Sequence, residues 1–116
     1  MMPVLHNEAW NVAEPEIMEL SGRLDSGTAP EIEESALLCI RSGARDMILD
    51  CANVSYITGT GMQTLLRVAR EMQAVRGKLA VCNLQPPVRE VFDFCGLDSM
   101  ISVFDTVFDA RNDLVA

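Results

Sequence analysis

The chain has 116 residues, 49% of them hydrophobic, and a formal net charge of −8 at pH 7. This length predicts one domain, 1–116, that buries a core without disulfides or metals, and the hydrophobic content excludes a disordered chain. The acidic balance argues against nucleic acid and anionic membrane surfaces as partners, because both attract basic proteins. With one Trp, one Tyr and four Phe, the core must be mainly aliphatic.

The cysteines and the single histidine give no sign of a metal or redox site. Cys39, Cys51, Cys82 and Cys95 form no CxxC pair, and His6 is alone. A zinc site needs clustered ligands, so no metal or cofactor is predicted. Each cysteine lies in an apolar segment and is interpreted as a small buried hydrophobe in a reducing cytosol. Without a signal peptide pattern or an apolar run near the roughly 20 residues that span a bilayer, a soluble cytoplasmic protein is expected.

The N-terminal third predicts short strands and then a helix. Residues 4–5 and 10–12 are candidate strand pieces, and residues 16–20, EIMEL, form a clearer strand that runs into Ser21 and Gly22. No helix separates these pieces, so they are expected to be antiparallel to each other.

The first helix is predicted to begin at Thr28. Thr28 and Glu31 have the spacing of a capping box, and Pro30 in the first turn lacks only an N–H that needs no partner there. Gly43 is a plausible stop. The apolar stripe of this helix comprises Ala29, Ile32, Ala36 and Ile40.

Residues 46–66 are the centre of the predicted fold. The apolar run 47–49 indicates a buried strand over 46–51, and helical spacing begins at Met62. Between them lies the segment 58–61, Thr-Gly-Thr-Gly, interpreted as a loop of small residues before a helix N-terminus. Backbone N–H groups point outward at such a place, which makes it the predicted binding region. A turn of this composition can also serve only to reverse the chain, and that alternative stays open.

The remaining elements complete an α/β pattern. Strands are predicted at 78–83 and 100–103, with a helix from about Val88 to Gly96 and a last helix after Asp105. Strands joined by helices are expected to be parallel with right-handed crossovers. The fold class is therefore α/β, with a small mixed sheet, mostly parallel after an antiparallel N-terminal part, covered by about four helices. The predicted covering residues are Ile32, Ala36, Leu65, Leu66, Ala69 and Phe92.

No catalytic constellation is found. The one histidine near the N-terminus cannot complete a Ser-His-Asp set, and neither GxGxxG nor GxxxxGK[ST] occurs. The chain is not predicted to be an enzyme.

Four segments together resemble the STAS domain, the family of bacterial anti-sigma-factor antagonists and of the cytoplasmic domains of sulfate transporters. They are residues 20–25 (LSGRLD), 49–66 (LDCANVSYITGTGMQTLL), 77–83 (GKLAVCN) and 88–97 (VREVFDFCGL), in the order of the family. The resemblance implies a small sheet with helices and a regulatory protein-binding module. The implied partner is an anti-sigma factor with serine kinase activity, whose binding is switched off by phosphorylation of the antagonist.

The resemblance also implies a site. In the family, the acceptor loop has the pattern D-S-S/T-G, and the first hydroxyl residue after the Asp is phosphorylated. Gly59 occupies that acceptor position here and has no hydroxyl, and Thr58 replaces the acid. Thr60, and then Thr58, are the remaining candidates for phosphorylation. The implied partner-binding surface comprises Asp25, Thr58, Gly59, Thr60, Gly61 and Met62.

Two classes of function remain open from the sequence. One is an anti-sigma-factor antagonist, which the overall match favours. The other is a non-switchable STAS scaffold or small-ligand sensor, which the glycine at position 59 favours. In either case, Asp25 and residues 58–62 are expected on one surface, because loops after neighbouring parallel strands open at the same end of a sheet.

Overall fold

A five-stranded sheet organises the part of the chain that the computed structural model describes, which is residues 3–5, 15–96 and 100–115. In spatial order, the strands are β1 (Val4–Leu5), β2 (Glu16–Leu24), β3 (Met47–Ile57), β4 (Leu79–Cys82) and β5 (Ile101–Phe104). β1 is antiparallel to β2, and the other neighbours are parallel. The predicted mixed sheet is confirmed, while the strand piece predicted at 10–12 lies outside the described residues.

Helices connect and cover the parallel strands. Over the described residues they are α1 (Ala29–Arg41), α2 (Gly59–Ala74), α3 (Pro86–Cys95) and α4 (Val107–Val115). α3 ends as predicted at Gly96, whose φ of 64° is the left-handed conformation that glycine adopts easily. The alternation of helices and strands expected from the sequence is thereby confirmed.

Helices cover both faces of the sheet. Successive residues of a strand point to opposite faces, so neighbouring residues of one strand join different clusters. Leu49 and Val81 join the larger cluster, under α1, α2 and α3, whereas Ile48 and Ala80 join the smaller cluster, under α4. The predicted covering residues found in the larger cluster are Ile32, Ala36, Leu65, Ala69 and Phe92. Leu66 is only half-buried, so the prediction is wrong for this residue.

β3 is almost twice as long as the strand predicted at 46–51. Its pairing with β2 shifts register between Glu19 and Ser21 and again between Gly22 and Arg23, and each shift places one additional residue in β3. A bulge of this kind breaks the two-residue alternation of a strand. The buried residues of the second half of β3 are therefore three apart, at Cys51, Val54 and Ile57. Burial at every third residue is the pattern of neither an ordinary strand nor a loop. The predicted strand therefore ended too early, at residue 51.

α2 begins earlier than predicted. The sequence indicates helix from Met62, but the helix begins at Gly59 with Thr58 as its N-cap, so residues 59–61 form its first turn. The loop between β3 and α2 is reduced to Thr58. The predicted binding region is therefore the start of a helix rather than a free loop.

The capping box predicted for α1 does not form. Thr28 is the N-cap residue, but its backbone is in the helical region and its side chain makes no cap hydrogen bond. The Oγ1 atom instead donates to the carbonyl of Arg23 at 2.7 Å. The N–H groups ahead of the helix instead donate to the carboxylate of Asp25, as described below.

Three of the four cysteines are buried as predicted. Cys39, Cys51 and Cys82 lie inside the domain, but Cys95 is exposed at the end of α3. α3 is amphipathic, and its buried side is formed by Val88 and Phe92, so Cys95 lies on the other side. The prediction that every cysteine is a core residue is wrong for Cys95.

Candidate functional site

The ends of β2 and β3 bring Asp25 and Thr58 together. Leu24 and Ile57 are register partners, so the chain leaves both strands at the same edge of the sheet. The Thr58 N–H then donates to the Leu24 carbonyl at 3.0 Å, which continues the pairing by one further bond. More than thirty residues apart in sequence, the two segments form one surface.

The hydroxyl of Thr58 is engaged on both sides. Oγ1 accepts from the Gly61 N–H at 3.2 Å as an N-cap, and it donates to the Leu24 carbonyl at 3.4 Å. The first bond satisfies one of the N–H groups that a helix N-terminus leaves without a partner. The second joins α2 to the end of β2. Thr58 is thus a structural link between the two segments of the site.

Gly59 and Thr60 are the exposed part of this turn. A Cβ atom built on Gly59 meets no other atom within 4 Å, so the position has room for a larger side chain. Thr60 is exposed, and its hydroxyl makes no hydrogen bond to any described residue. Around an α-helix, successive residues are about 100° apart, so Thr60 and residue 59 face different directions.

Gly61 and Met62 are not available to a partner. Gly61 is buried against β2, where a Cβ atom would lie 2.5 Å from the Leu24 carbonyl oxygen. Met62 is 4% exposed and belongs to the larger core cluster. The surface of the predicted set therefore consists of Asp25, Thr58, Gly59 and Thr60.

The carboxylate of Asp25 is held by the turn that follows it. Oδ1 accepts from the N–H groups of Gly27 at 3.0 Å and Thr28 at 3.2 Å. Oδ2 faces Arg23, whose Nε atom is 3.6 Å away. Partial burial by itself raises the pKa of Asp25, but these hydrogen bonds and the charge of Arg23 outweigh it and lower the pKa below its usual value. Asp25 is therefore an ionised carboxylate at neutral pH, with Oδ2 outside the hydrogen bonds that Gly27 and Thr28 donate to Oδ1.

Two further residues border the site. The guanidinium of Arg23 lies over the ring of Tyr56, 4.8 Å from its centroid, in a cation–π contact. The two residues are register partners on β2 and β3. Sequence reasoning did not single them out, because the two bulges set which residues lie opposite each other. The signal that could have found them is their position, two residues before Asp25 and two before Thr58.

The described residues contain no group of three or more His, Cys, Asp or Glu side chains that could hold a metal ion. Of the helices described, none is both long and apolar enough to cross a membrane. The site combines the Asp25 carboxylate, held by its own turn, with the first turn of α2.

Comparison with known proteins gives the family. The STAS domain model matches residues 11–110. The putative anti-sigma factor antagonist BtrV of Bordetella bronchiseptica is 34% identical over 84 residues, which cover 72% of each chain. An anti-sigma F factor antagonist of Paenibacillus polymyxa is 26% identical over 99 residues, covering 84% of this chain and 85% of that one.

Solved structures agree with this match. The unphosphorylated form of the anti-sigma factor antagonist SpoIIAA superposes with a TM-score of 0.79 at 25% identity, over 96% of this chain and 94% of that one. An anti-sigma factor antagonist from Mycobacterium paratuberculosis has the same fold, with a TM-score of 0.84 at 18% identity, over 99% of this chain and 94% of that one. Sequence match and fold together lead to one conclusion: the chain belongs to the STAS domain family.

Proposed function

We propose that this protein is an anti-sigma-factor antagonist, a regulatory binding protein that acts in the cytoplasm by sequestering an anti-sigma factor and has no enzyme activity of its own. The observation that carries the proposal is that Asp25 lies beside Thr58 and the first turn of α2 on one surface. Relatives of the chain are named anti-sigma factor antagonists. These names favour an antagonist over the scaffold or small-ligand sensor that the sequence left open.

The geometry supports a role for this edge in binding a basic partner group. Oδ1 of Asp25 is occupied by its own turn, while Oδ2 is faced by a single, mostly exposed arginine. Exposed ion pairs contribute little free energy, so a partner's arginine or lysine can replace Arg23 at small cost. Gly59 has no side chain, which allows the partner to approach the backbone of the turn closely.

A binding measurement with matched charge variants tests this function. Each anti-sigma factor encoded by the source organism is purified and titrated with this protein by calorimetry. One of them is expected to bind with a Kd of about 1 μM or lower, and Asp25→Asn is expected to weaken that binding at least tenfold, since interfacial ion pairs couple by about 1.5 kcal/mol or more.

Asp113→Asn is the control, because it removes the same charge from an exposed position on α4. It should leave the Kd within about threefold, since only long-range, salt-screened charge is lost. The function is excluded if no anti-sigma factor binds. The assignment of Asp25 is excluded if both variants weaken binding equally.

The partner is further proposed to carry serine kinase activity, toward which this turn is a poor phosphate acceptor. Gly59 has no hydroxyl, and the hydroxyl of Thr58 is engaged in two hydrogen bonds. Thr60 is exposed, but it points about 100° away from residue 59 around the helix. Phosphoryl transfer requires in-line placement, and an error near 1 Å can cost about a hundredfold in rate. Thr60 is thus the better acceptor of the two threonines, and a slow one.

Incubation of the complex with ATP and Mg²⁺, followed by intact-mass analysis and site mapping, tests this regulation. The unmodified sequence is expected to gain phosphate slowly or not at all, and any phosphate should lie on Thr60. Gly59→Ser is expected to gain one phosphate rapidly, because position 59 has room for the side chain. Gly59→Ala is the control without a hydroxyl. Rapid stoichiometric phosphorylation of the unmodified sequence would show that the turn is an ordinary acceptor.

A further inference from the structure

An exposed aromatic residue lies at the edge of the proposed binding surface. Tyr56, near the end of β3, is 46% exposed. Single exposed apolar residues are common on protein surfaces and need no function in themselves. Tyr56 differs in that the Arg23 guanidinium lies over its ring, and in its position beside the carboxylate already assigned to binding.

Arg23 connects Tyr56 with Asp25. The Arg23 guanidinium lies over the Tyr56 ring at 4.8 Å, and its Nε atom is 3.6 Å from Oδ2 of Asp25. One cation therefore touches both an aromatic face and a carboxylate. This arrangement limits the rotamers of the ring before any partner arrives, which reduces the entropy that binding has to remove.

The three side chains are continuous with the first turn of α2. Leu24 and Ile57, each next in sequence to one of these residues, point into the core, so Arg23 and Tyr56 lie on the outer side of the paired strands. Tyr56 is three residues before Gly59, and three residues span at most about 11 Å. A partner that covers Asp25 and Gly59 is therefore close enough to contact Tyr56 as well.

We propose that Tyr56 is the apolar anchor by which this protein docks on its anti-sigma factor, with Arg23 holding the ring in place. The proposal rests on the proposed function and names the chemistry of the partner surface: an apolar pocket for the ring, bordered by an arginine or lysine that reaches Oδ2 of Asp25. On binding, that cation takes the place of Arg23 at the carboxylate, while Arg23 keeps its contact with the ring.

The energetic reason is the uneven distribution of binding free energy over an interface. A few residues dominate, and Tyr, Trp and Arg are enriched among them, because a rigid ring buries a large area with few rotatable bonds. The other members of the predicted surface are one carboxylate, two threonines and a glycine, none of which buries much apolar area. Tyr56 is the residue of this surface that can supply it.

The test measures the affinity of the purified anti-sigma factor for three variants by titration calorimetry. Tyr56→Ala is expected to raise the Kd about thirtyfold or more, the size of a hot-spot effect. Tyr56→Phe keeps the ring and is expected to stay within about fivefold. Phe108→Ala removes a ring that is 70% exposed on α4, the helix that follows β5, three strands from β2, and is the matched control with an unchanged Kd. Thermal unfolding of each variant checks that the fold is intact.

Arg23→Ala separates a positioning role from a general structural one. It should weaken binding when Tyr56 is present and have no weakening effect in the Tyr56→Ala background, because its contribution acts through the ring. Equal weakening in both backgrounds would overturn the positioning role.

The outcomes distinguish this inference from the function on which it rests. If the unmodified protein binds and Tyr56→Ala binds equally well, the anchor is refuted while the function stands. The anchor is also refuted if Phe108→Ala weakens binding as much as Tyr56→Ala. If the unmodified protein binds no anti-sigma factor, both the function and the anchor are refuted.

Discussion

Gly59 and Gly61 lie in the same turn of α2, but their surroundings are opposite. Gly59 faces open space, whereas a Cβ atom on Gly61 would lie 2.5 Å from the Leu24 carbonyl oxygen and 3.0 Å from the Leu24 side chain. That carbonyl also accepts from both the N–H and the hydroxyl of Thr58. It is therefore not free to move aside, and the close contact of α2 with β2 requires glycine at position 61.

A pair of alanine variants tests this difference. Gly61→Ala is expected to lower the free energy of unfolding by about 1–3 kcal/mol, because the helix start must shift away from β2. Gly59→Ala is expected to leave it unchanged or raise it by up to about 1 kcal/mol, because alanine favours the helix and loses less backbone entropy. Urea denaturation measures both. Equal effects of the two substitutions would contradict the close contact at Gly61.

The lowered pKa of Asp25 makes a prediction for acid stability. Its cause is the set of hydrogen bonds from Gly27 and Thr28, with the charge of Arg23, acting against partial burial. Because the pKa is lower in the folded than in the unfolded state, where it is about 3.9, ionised Asp25 stabilises the fold above that value. This stabilisation is lost as the pH falls through the folded-state pKa.

Denaturation of the unmodified protein and Asp25→Asn between pH 7 and pH 2.5 measures this effect. The unmodified protein is expected to be the more stable of the two at pH 7, with a difference that shrinks below about pH 4. Asp113→Asn, on the exposed surface of α4, should follow the unmodified protein throughout. A constant difference between the unmodified protein and Asp25→Asn over the whole range would show that the carboxylate charge has no stabilising role.

At the scale of elements, β3 carries both the centre of the core and the end of the site. Its first half, up to Asp50, pairs with β2 and β4, and its second half continues beside β2 to Ile57. The first half was predictable because the run 47–49 is apolar throughout. The second half was not, because two bulges convert alternate burial into burial at every third residue, a spacing that depends on pairing with β2.

Leu49 is the clearest test of the first half of β3. It is fully buried in the larger cluster, between the helices on one side and the sheet. Leu49→Ala is expected to lower the free energy of unfolding by about 2–5 kcal/mol, the range of other buried leucines. Leu38→Ala is the control, because Leu38 is 54% exposed on α1 and should change stability by less than about 0.5 kcal/mol. A loss below about 1 kcal/mol for Leu49→Ala would contradict its place in the core.

At the scale of the whole molecule, the order of strands and helices and the fold class can be predicted from local sequence patterns. The site, in contrast, depends on which residues of β2 and β3 are paired. Apolar runs and helical stripes predict the alternation of strands and helices, because each element has to bury one side. The segment 58–61 was predicted as a binding region from the strand, turn and helix pattern, whereas Asp25 was added through the family resemblance. The contact of Arg23 with Tyr56 could not be predicted, since one residue of register change would place a different side chain opposite Arg23.

The cysteines lie on different elements of the fold. Cys39 is on α1, Cys51 on β3 and Cys82 on β4, and the last two belong to clusters on opposite faces of the sheet. Burial raises the pKa of Cys39 to about 11 and that of Cys82 to about 12, with contributions from Glu16 and Asp50 respectively, and it also raises the pKa of Cys51. Only Cys95 is exposed. The thiolate is the reactive form of cysteine. The three buried thiols are therefore protected from reagents both by their burial and by their raised pKa, which keeps them protonated.

Thiol labelling therefore measures whether the two sides of the sheet unfold together. At pH 8 in native buffer, a disulfide reagent is expected to label Cys95 rapidly and the other three thiols slowly, and Cys95→Ser should remove the fast phase alone. A domain of this size usually unfolds in one cooperative step, so the slow phase should be shared by Cys39, Cys51 and Cys82 and should accelerate together in urea. Peptide mapping of the labelled Cys95→Ser variant assigns the rates. If Cys82 reacts well before Cys51 below the unfolding transition, the face under α4 opens on its own, and the two clusters are not one cooperative unit.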